Sequence, residues 1–303
     1  MKHIVFLLLM GFFFSLPCPA SAQTGGLQPS PLFGRKYKAG DIYRYKLTLA
    51  EYHDEKLAIS NVAICELRVV KDSNGIFYDE VHWISKYTTR DKDSMNQEKE
   101  ALAVKPYRIS LAANGRMDMP PIEVPEMTEP IQDFNTFFVA ISPMMAGIQQ
   151  LKKKGDSLVI KDPITADFSN GSFILKGQDC IQVRLKLTGT TKKEVSLFTG
   201  FFPPARPCLI YLLPEMNTPV VTDTLNNFQM VMPSGKDLYN VQYGREFFFI
   251  NSTIRKSDGK IIKAGMFNRL NLKLKINCNK EYQQCAFEMP FSERRVLTLE
   301  LLP

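Results

Sequence analysis

Histidine is scarce in this sequence, and the residue spacings that most hydrolase and metal sites require are missing. Three histidines occur among 303 residues, and one of them, His3, lies in the N-terminal segment discussed below. A serine or cysteine triad needs a base beside its nucleophile, and no G-x-S-x-G elbow is present. No C-x-x-C pair occurs, whereas a zinc site usually contains closely spaced ligand pairs. We therefore expect no metal, no cofactor and no triad built on His53 or His82.

Several other functional motifs are also absent. The sequence lacks glycine-rich phosphate loops, and its densest basic cluster is only the three lysines at 152–154, so we expect no nucleic acid partner. Asp79 and Glu80 are neighbours in a predicted strand and point to opposite faces, so they cannot flank one bond. Carboxylates distant in sequence can still converge, and a hydrolase built from scattered acidic residues stays open as a third hypothesis.

The net charge is mildly positive, at +7. An excess of this sign favours contact with anionic surfaces such as lipid head groups or acidic glycans. The basic residues are scattered along the chain, so lysines that merely solvate the surface are the alternative interpretation.

Long apolar runs are missing except at the N-terminus. Lys2 and His3 precede an apolar run over residues 4–14, and Ala20-Ser21-Ala22 follows it. This order is typical of a secretory signal peptide over residues 1–22, cleaved after Ala22, because the run is shorter than the ~20 residues that span a bilayer. Cys18 follows Pro17, which argues against lipoprotein processing. We predict an exported protein, periplasmic or extracellular, with no transmembrane segment in the mature chain.

Five of the six cysteines lie beyond that segment. Cys278 and Cys285 flank a polar stretch with the character of a hairpin loop, and adjacent strands would bring them within disulfide distance. We therefore predict a Cys278–Cys285 disulfide. The pairing of Cys65, Cys180 and Cys208 stays open, and the odd number leaves at least one thiol unpaired or bridged to another chain.

Alternating apolar and polar residues predict mainly antiparallel β structure. Residues 23–36 are rich in Gly, Pro, Ser and Gln and are interpreted as a flexible leader. Residues 37–303 are predicted to form one large β domain. Period-two alternation marks strands near 42–49, 183–187, 270–276 and 297–301. Between strands lie the turn pairs Asn74-Gly75, Asn114-Gly115, Asn170-Gly171 and Asp258-Gly259, which tolerate the positive φ of tight hairpins.

One short helical segment is predicted near residues 133–152. Asp133 can cap it, and Phe134, Phe137, Phe138 and Ile141 follow at helical spacing. Pro143 bends or ends this helix, and the proline-rich stretch 117–130 is interpreted as an extended connector. A Gly-Asp pair precedes each of two strand regions, Gly40-Asp41 and Gly155-Asp156. This repetition suggests an alternative organisation, in which the domain consists of two fused halves, about 37–151 and 152–303.

This order of elements resembles a loosely defined group of exported bacterial β proteins of unknown function. The residues that carry the resemblance are Gly40-Asp41 before an aromatic strand, Ala113-Asn114-Gly115 after a later strand, the phenylalanine-rich helix and Gly155-Asp156. They cover the chain from about Lys38 to Phe198. The group is similar to the periplasmic lipoprotein carriers of the LolA and LppX type. The resemblance implies a strongly curved sheet or half-open barrel, with a helix as lid over a face that holds acyl chains. It carries over no functional residue.

These observations favour non-catalytic binding of an apolar or amphiphilic ligand, or of an envelope component, in a groove between sheet and helix. The alternative is a protein–protein interaction or scaffold module with a filled core, since aromatic residues of this kind commonly pack cores. An open apolar cavity would favour the first function, and a solid core the second. Candidate groove residues are Tyr43, Tyr45, Trp83, Phe134, Phe137 and Phe138.

Overall fold

The described part of the chain forms one large antiparallel sheet. The computed structural model describes residues 28–90, 93–113, 117–118, 122–143, 145, 147–160, 182–202 and 228–303. The predicted signal peptide, Cys180, Cys208 and the turns at 114–115 and 170–171 lie outside these residues. Thirteen strands belong to the sheet, which confirms the predicted mainly β, antiparallel fold class.

The strands have the following bounds: β1 Ile42–His53, β2 Lys56–Lys71, β3 Phe77–Arg90, β4 Asp93–Asn96, β5 Tyr107–Ile109, β6 Met117–Asp118, β7 Ser157–Ile160, β8 Gln182–Thr190, β9 Glu194–Phe202, β10 Phe228–Gly235, β11 Leu238–Arg255, β12 Ile261–Cys278 and β13 Phe287–Leu301. The order across the sheet is β6-β5-β3-β2-β1-β13-β12-β11-β9-β8-β7. Strand β4 pairs with β3, and β10 pairs with β11. Consecutive strands are mostly neighbours, but the pairing of β1 with β13 joins the two ends of the described chain. The division into two related halves stays a prediction.

Two of the predicted turns connect long strands as expected. Gly75 lies between β2 and β3 with φ 84°, and Gly259 lies between β11 and β12 with φ 73°. Both values fall in the left-handed region that glycine adopts without steric cost. The Asn-Gly and Asp-Gly pairs therefore predicted these hairpins correctly.

The longer helix, α2, begins earlier than the sequence pattern suggested. A short helix, α1, covers Glu98–Ala103, and α2 covers Thr128–Val139 after a 3-10 turn at Pro125–Met127. The predicted start at Asp133 and the extended connector up to residue 130 are therefore wrong here. Pro130 is tolerated because N–H groups in the first turn have no partner within the helix. Among the described residues, no helix has the length and apolar character that crossing a membrane requires.

The sheet curves around α2, which covers part of its concave face. Trp83 on β3 contacts Phe134 at 5.6 Å between ring centroids, and Thr199 on β9 donates a hydrogen bond to the carbonyl of Ala140 at 3.2 Å. These strands are six steps apart in the sheet, or ~29 Å on a flat surface, whereas twelve helical residues extend only ~18 Å. One helix reaches both strands because the sheet bends toward it.

Residues 28–36 pack against this sheet, which differs from the flexible leader predicted for 23–36. We call residues 28–36 the strap. Phe33 is 2% exposed, and the amide of Lys36 donates to the carbonyl of Asp258 at 2.9 Å. The buried guanidinium of Arg35 binds the buried Asp79 carboxylate at 3.0 Å and lies over the Tyr37 ring. An apolar anchor and a buried ion pair thus hold a segment whose composition alone indicated disorder.

Strands β10 to β13 extend beyond the helix-covered region as a four-stranded arm, defined here as residues 228–247 and 268–292. The Cys278–Cys285 disulfide closes the turn between β12 and β13, as predicted. This turn lies over a small separate cluster that contains Val231, Val241 and Tyr243. The arm therefore has its own minor core on one face, and Cys65 is a buried free thiol in the main core.

Candidate functional site

Five of the six predicted groove residues contact one another between α2 and the sheet, and the sixth, Phe137, lies in the same core. Tyr45 contacts Phe134 and Phe138 at centroid distances of 6.0 and 5.8 Å, and Phe134 lies 4.8 Å from Phe138. Tyr43 packs edge-on against Tyr45 at 5.7 Å. The exposed fractions of the six residues, including Trp83 and Phe137, range from 0 to 9%.

These aromatic residues form a closed cluster in this conformation. All six are buried, five of them in contact ring to ring, and the hydroxyl of Tyr45 donates to the carbonyl of Ile261 at 2.9 Å. Burial raises the pKa of the Tyr45 hydroxyl well above its usual value, so it acts as a neutral donor. A role for this cluster in ligand binding stays a prediction.

A ring of charged residues borders the aromatic cluster on the concave face, where the arm begins. Arg295 on β13 donates to Glu129 and Asp133 of α2, each at 2.7 Å. The other members of this ring, which we call the polar collar, are Glu51, His53, Glu246, Asn268 and Glu293. Register pairing places Glu246, Leu270, Glu293 and His53 in one row across four strands. The collar thus separates the packed core from the concave face of the arm.

Burial affects the acidic groups of the collar. Burial raises the pKa of Asp133 to about 7, with Glu129 and Glu51 contributing and Arg295 opposing. Burial also raises the pKa of Glu246. It does the same for Glu293, where repulsion from Glu51 adds to the effect. A cavity of about 10 Å³ adjoins Asp133, which has room for about one water molecule and not for an organic substrate.

Beyond the collar, the concave face of the arm carries a strip of apolar side chains. Even-numbered residues of β12 and odd-numbered residues of β13 point to the concave side, since Met266 and Leu297 are buried in the core and pair in register. Phe287 is 53% exposed and Met289 is 44% exposed. We define the apolar strip as Leu272, Leu274, Ile276, Phe287, Met289 and Phe291.

The strip was not predicted as a site, although its signal was in the sequence. The alternation at 270–276 predicted a strand with one apolar face, which was assigned to the core. The pattern does not reveal which part of a long strand α2 covers. That depends on the position of the helix, which is set by contacts with β3 and β9.

The histidines and the free thiol lie away from any nucleophilic arrangement in the described residues. His53 Nε2 lies 2.7 Å from Glu51, and His82 Nε2 lies 3.0 Å from Glu80. Burial raises the pKa of the Cys65 thiol, which disfavours the reactive thiolate. No group of three or more His, Cys, Asp or Glu side chains in the described ranges is placed to hold a metal ion.

Comparison with known proteins yields a distant likeness. No protein-family model matches the chain, and no curated protein matches it. A solved structure described as lipid-protein interactions in lipovitellin aligns with 88% of this chain at 11% identity and a TM-score of 0.42. The alignment covers 26% of the lipovitellin chain, so the protein spans about a quarter of that relative. A likeness at this distance carries no argument about function, and the resemblance to periplasmic carriers stays a prediction.

Proposed function

We propose that this protein binds the apolar chain of an amphiphilic ligand on the apolar strip of the arm, without catalysing a reaction. The observation that carries the proposal is the part of the concave face beyond α2, where Phe287 and Met289 are about half exposed among the described residues. Large apolar side chains left in water on a regular sheet face commonly mark an interaction site. The ligand position differs from the groove predicted beneath α2, because the helix fills that groove.

The dimensions of the strip favour a small ligand over a protein partner. From Leu272 to Ile276 the strip extends ~13 Å along β12, and it is two strands, or ~10 Å, wide. A stable protein interface buries about 800 Å² on each partner, several times this area. A single acyl chain fits the length and width, and the polar collar at the inner end offers hydrogen-bonding groups to a head group.

The absence of catalysis is part of the proposal. Two carboxylates of the collar, Glu129 and Asp133, are both bound by Arg295. Both carboxylates pair with one guanidinium, and the cavity beside Asp133 holds about one water molecule. A glycosidase acid and base need a cleft between them, so this arrangement disfavours that role. The hydrolase hypothesis would return if the purified protein cleaved a glycan or an ester.

A location outside the cytoplasm is proposed on the disulfide and on the N-terminal sequence pattern. Disulfides persist in oxidising compartments and are rare in the cytosol. Mass spectrometry of the protein from its native envelope or medium fraction should find Gln23 as the first residue. An N-terminus at Met1 in the cytosolic fraction would contradict export.

Titration with the fluorescent apolar probe N-phenyl-1-naphthylamine tests the binding proposal. We expect the double variant Phe287→Asp/Met289→Asp to weaken probe binding at least about tenfold, because each side chain contributes about 1.5–3 kcal/mol when fully buried. The matched control is Ile42→Asp, which changes a side chain that is 58% exposed outside the strip and should bind like the parent. Native mass spectrometry before and after organic extraction then identifies any co-purified ligand.

Two outcomes would overturn either the proposed position of the ligand or the proposed function. Equal probe binding by the parent and the double variant, together with a loss in the volume-conserving Phe138→Leu variant, would return the ligand to the cluster beneath α2. No probe binding and no extractable mass would favour the second candidate, an interaction module. The filled core supports that candidate. Strand β13 also supports it, because its residues 287–292 pair with β12 on one side but extend beyond β1, whose pairing with β13 ends at Glu293.

A further inference from the structure

The outer, convex face of the sheet carries an aromatic row that the proposed ligand site does not use. Core residues occupy one face of each strand, so alternate residues must lie on the other. On this outer face Phe198 of β9, Phe249 of β11 and Phe267 of β12 stack in sequence. Their ring centroids are 5.8 and 5.2 Å apart, with interplanar angles of 26° and 22°. We call these three residues the aromatic ladder.

The ladder continues to a more exposed aromatic residue. Phe247 lies two residues from Phe249 on the same face of β11 and is 47% exposed, and register places it opposite Arg269. In the same row Arg294 lies over the Tyr52 ring at 3.7 Å. Phe247 and the ladder are not covered by either described helix, because α2 lies on the concave side.

Basic side chains surround this apolar area. On the outer face of the described strands β1, β8, β9, β11, β12 and β13, eleven side chains are basic and three are acidic. The basic residues are Arg44, Lys46, Arg184, Lys186, Arg245, Arg255, Lys263, Arg269, Lys273, Lys275 and Arg294, and the acidic residues are Glu194, Glu288 and Glu300. Several of these charges are partly neutralised. Glu55 pairs with Arg269 and Arg294, Glu300 with Lys263 and Glu288 with Lys273. Arg44 and Arg255 likewise bind Glu66 and Asp258. Arg245 and Lys186 are exposed and flank the aromatic residues on either side.

A cleft lies on this face, and one of its lining residues, Arg245, is two residues from Phe247 on β11. Its volume is about 470 Å³, and its polar lining residues include Asp54, Asn271, Lys273 and Ser292. The remaining lining residues are Tyr243, Gly244, Leu272, Pro290 and Phe291. Two cations with amide and hydroxyl groups suit the oxygens of a phosphate or carboxylate head group.

We propose that the outer face docks on an anionic lipid surface, with Phe247 and the aromatic ladder in the interfacial layer and the cleft occupied by a lipid head group. Amphipathic surfaces bind membranes when apolar side chains insert and basic side chains meet anionic lipids. A free phosphate would account for the cleft but not for the exposed Phe247 side chain. A convex face also meets a lipid surface first at its middle, and the ladder lies on strands next to the middle of the sheet order. The proposal is independent of ligand binding on the concave face.

Flotation of the full-length mature chain with lipid vesicles tests this docking. Vesicles of phosphatidylcholine are compared with vesicles containing about 30% phosphatidylglycerol, at low and high NaCl. We expect binding only to the anionic vesicles, weakened by salt because screening shortens the reach of surface charges. The double variant Lys186→Glu/Arg245→Glu should lose binding at least about twentyfold, since each basic residue near an anionic surface contributes roughly fivefold in affinity. Phe247→Ser should lose about tenfold.

Matched variants keep the result interpretable. Lys38→Glu/Lys99→Glu makes the same change in net charge at exposed positions away from this face and should bind as the parent does. Phe287→Asp/Met289→Asp removes the concave strip and should also bind vesicles normally, so failure of the two proposals can be distinguished. Equal binding to neutral vesicles, equal losses in both charge variants, or full competition by soluble glycerol phosphate would overturn docking on a lipid surface.

Discussion

Asp133 is a buried carboxyl group that faces Arg295 and two other carboxylates, and this environment makes a single residue sensitive to pH. Burial raises its pKa to about 7, above the ~3.9 of an unfolded chain. The folded state therefore binds a proton that the unfolded state releases between these values. Stability from this group is complete at acidic pH and is lost as pH rises toward 7.

The variant Asp133→Asn should therefore flatten the pH dependence of stability. We expect the free energy of unfolding of the parent to fall by about 2–4 kcal/mol more than that of the variant between pH 4 and 7. Urea denaturation at several pH values measures both. Parallel curves for the two proteins would show that Asp133 is ionised in the fold throughout this range, with Arg295 outweighing burial.

For single residues, the sequence predicted that the aromatic side chains of the candidate groove would lie between helix and sheet, but not that they would pack into a closed cluster. The spacing of Phe134, Phe137 and Phe138 placed one face of a helix on a sheet, and the structure shows that contact. The same reasoning made Asp133 a helix cap, whereas it binds Arg295, which is 162 residues away in sequence. No local pattern contains a partner at that separation.

The contact between the strap and the β11–β12 hairpin leads to a prediction at the scale of secondary-structure elements. Gly259 has φ 73°, and a Cβ there would lie 2.5 Å from the carbonyl oxygen of Gly34 and 2.7 Å from Cα of Arg35. Gly40 has nearly the same φ, 75°, and nothing within 4 Å of an added Cβ. Gly259→Ala should destabilise by about 3 kcal/mol and Gly40→Ala by about 1 kcal/mol, because both meet the left-handed strain but only the first meets backbone atoms.

Urea denaturation measures the loss of stability in each variant, and limited proteolysis measures release of the strap. Gly259→Ala should also release the strap, so that cleavage near residues 28–36 becomes faster than in the parent and in Gly40→Ala. Equal destabilisation by the two variants would mean that the strap moves aside without cost and does not support the fold.

Elements were easier to predict where a signal is local. Alternation and turn pairs predicted β1, β8, β12 and the hairpins at Gly75 and Gly259, because each is specified within about ten residues. The strap was assigned to a flexible leader because its anchor, Asp79, belongs to a strand far along the chain. The outer aromatic ladder likewise joins residues from three separate strands, so only their register reveals it.

At the scale of the whole molecule, the described residues form one sheet with two cores of unequal size. The main core lies beneath α2, and the smaller cluster of the arm contains Val231, Val241 and Tyr243 beneath the disulfide-closed turn. Both proposed surfaces lie on or beside the arm, the strip on its concave face and the cleft on its outer face. Strands β11, β12 and β13 run continuously through both regions, so stability of the arm and of the main core are linked through shared strands.

Removing the disulfide should therefore loosen the arm before the main core. A bridge that closes so short a loop contributes about 2–3 kcal/mol, and its contacts lie entirely in the arm. In hydrogen exchange, Cys278→Ser/Cys285→Ser should speed exchange in residues 228–243 and 273–290 while β1 stays protected. The matched control Cys65→Ala creates a cavity in the main core, at a cost of about 1–2 kcal/mol, and should increase exchange in β1 to β3 instead. Uniformly faster exchange in both variants would show that the sheet opens as one cooperative unit, and the arm would then be too rigid to adapt to ligands of different size.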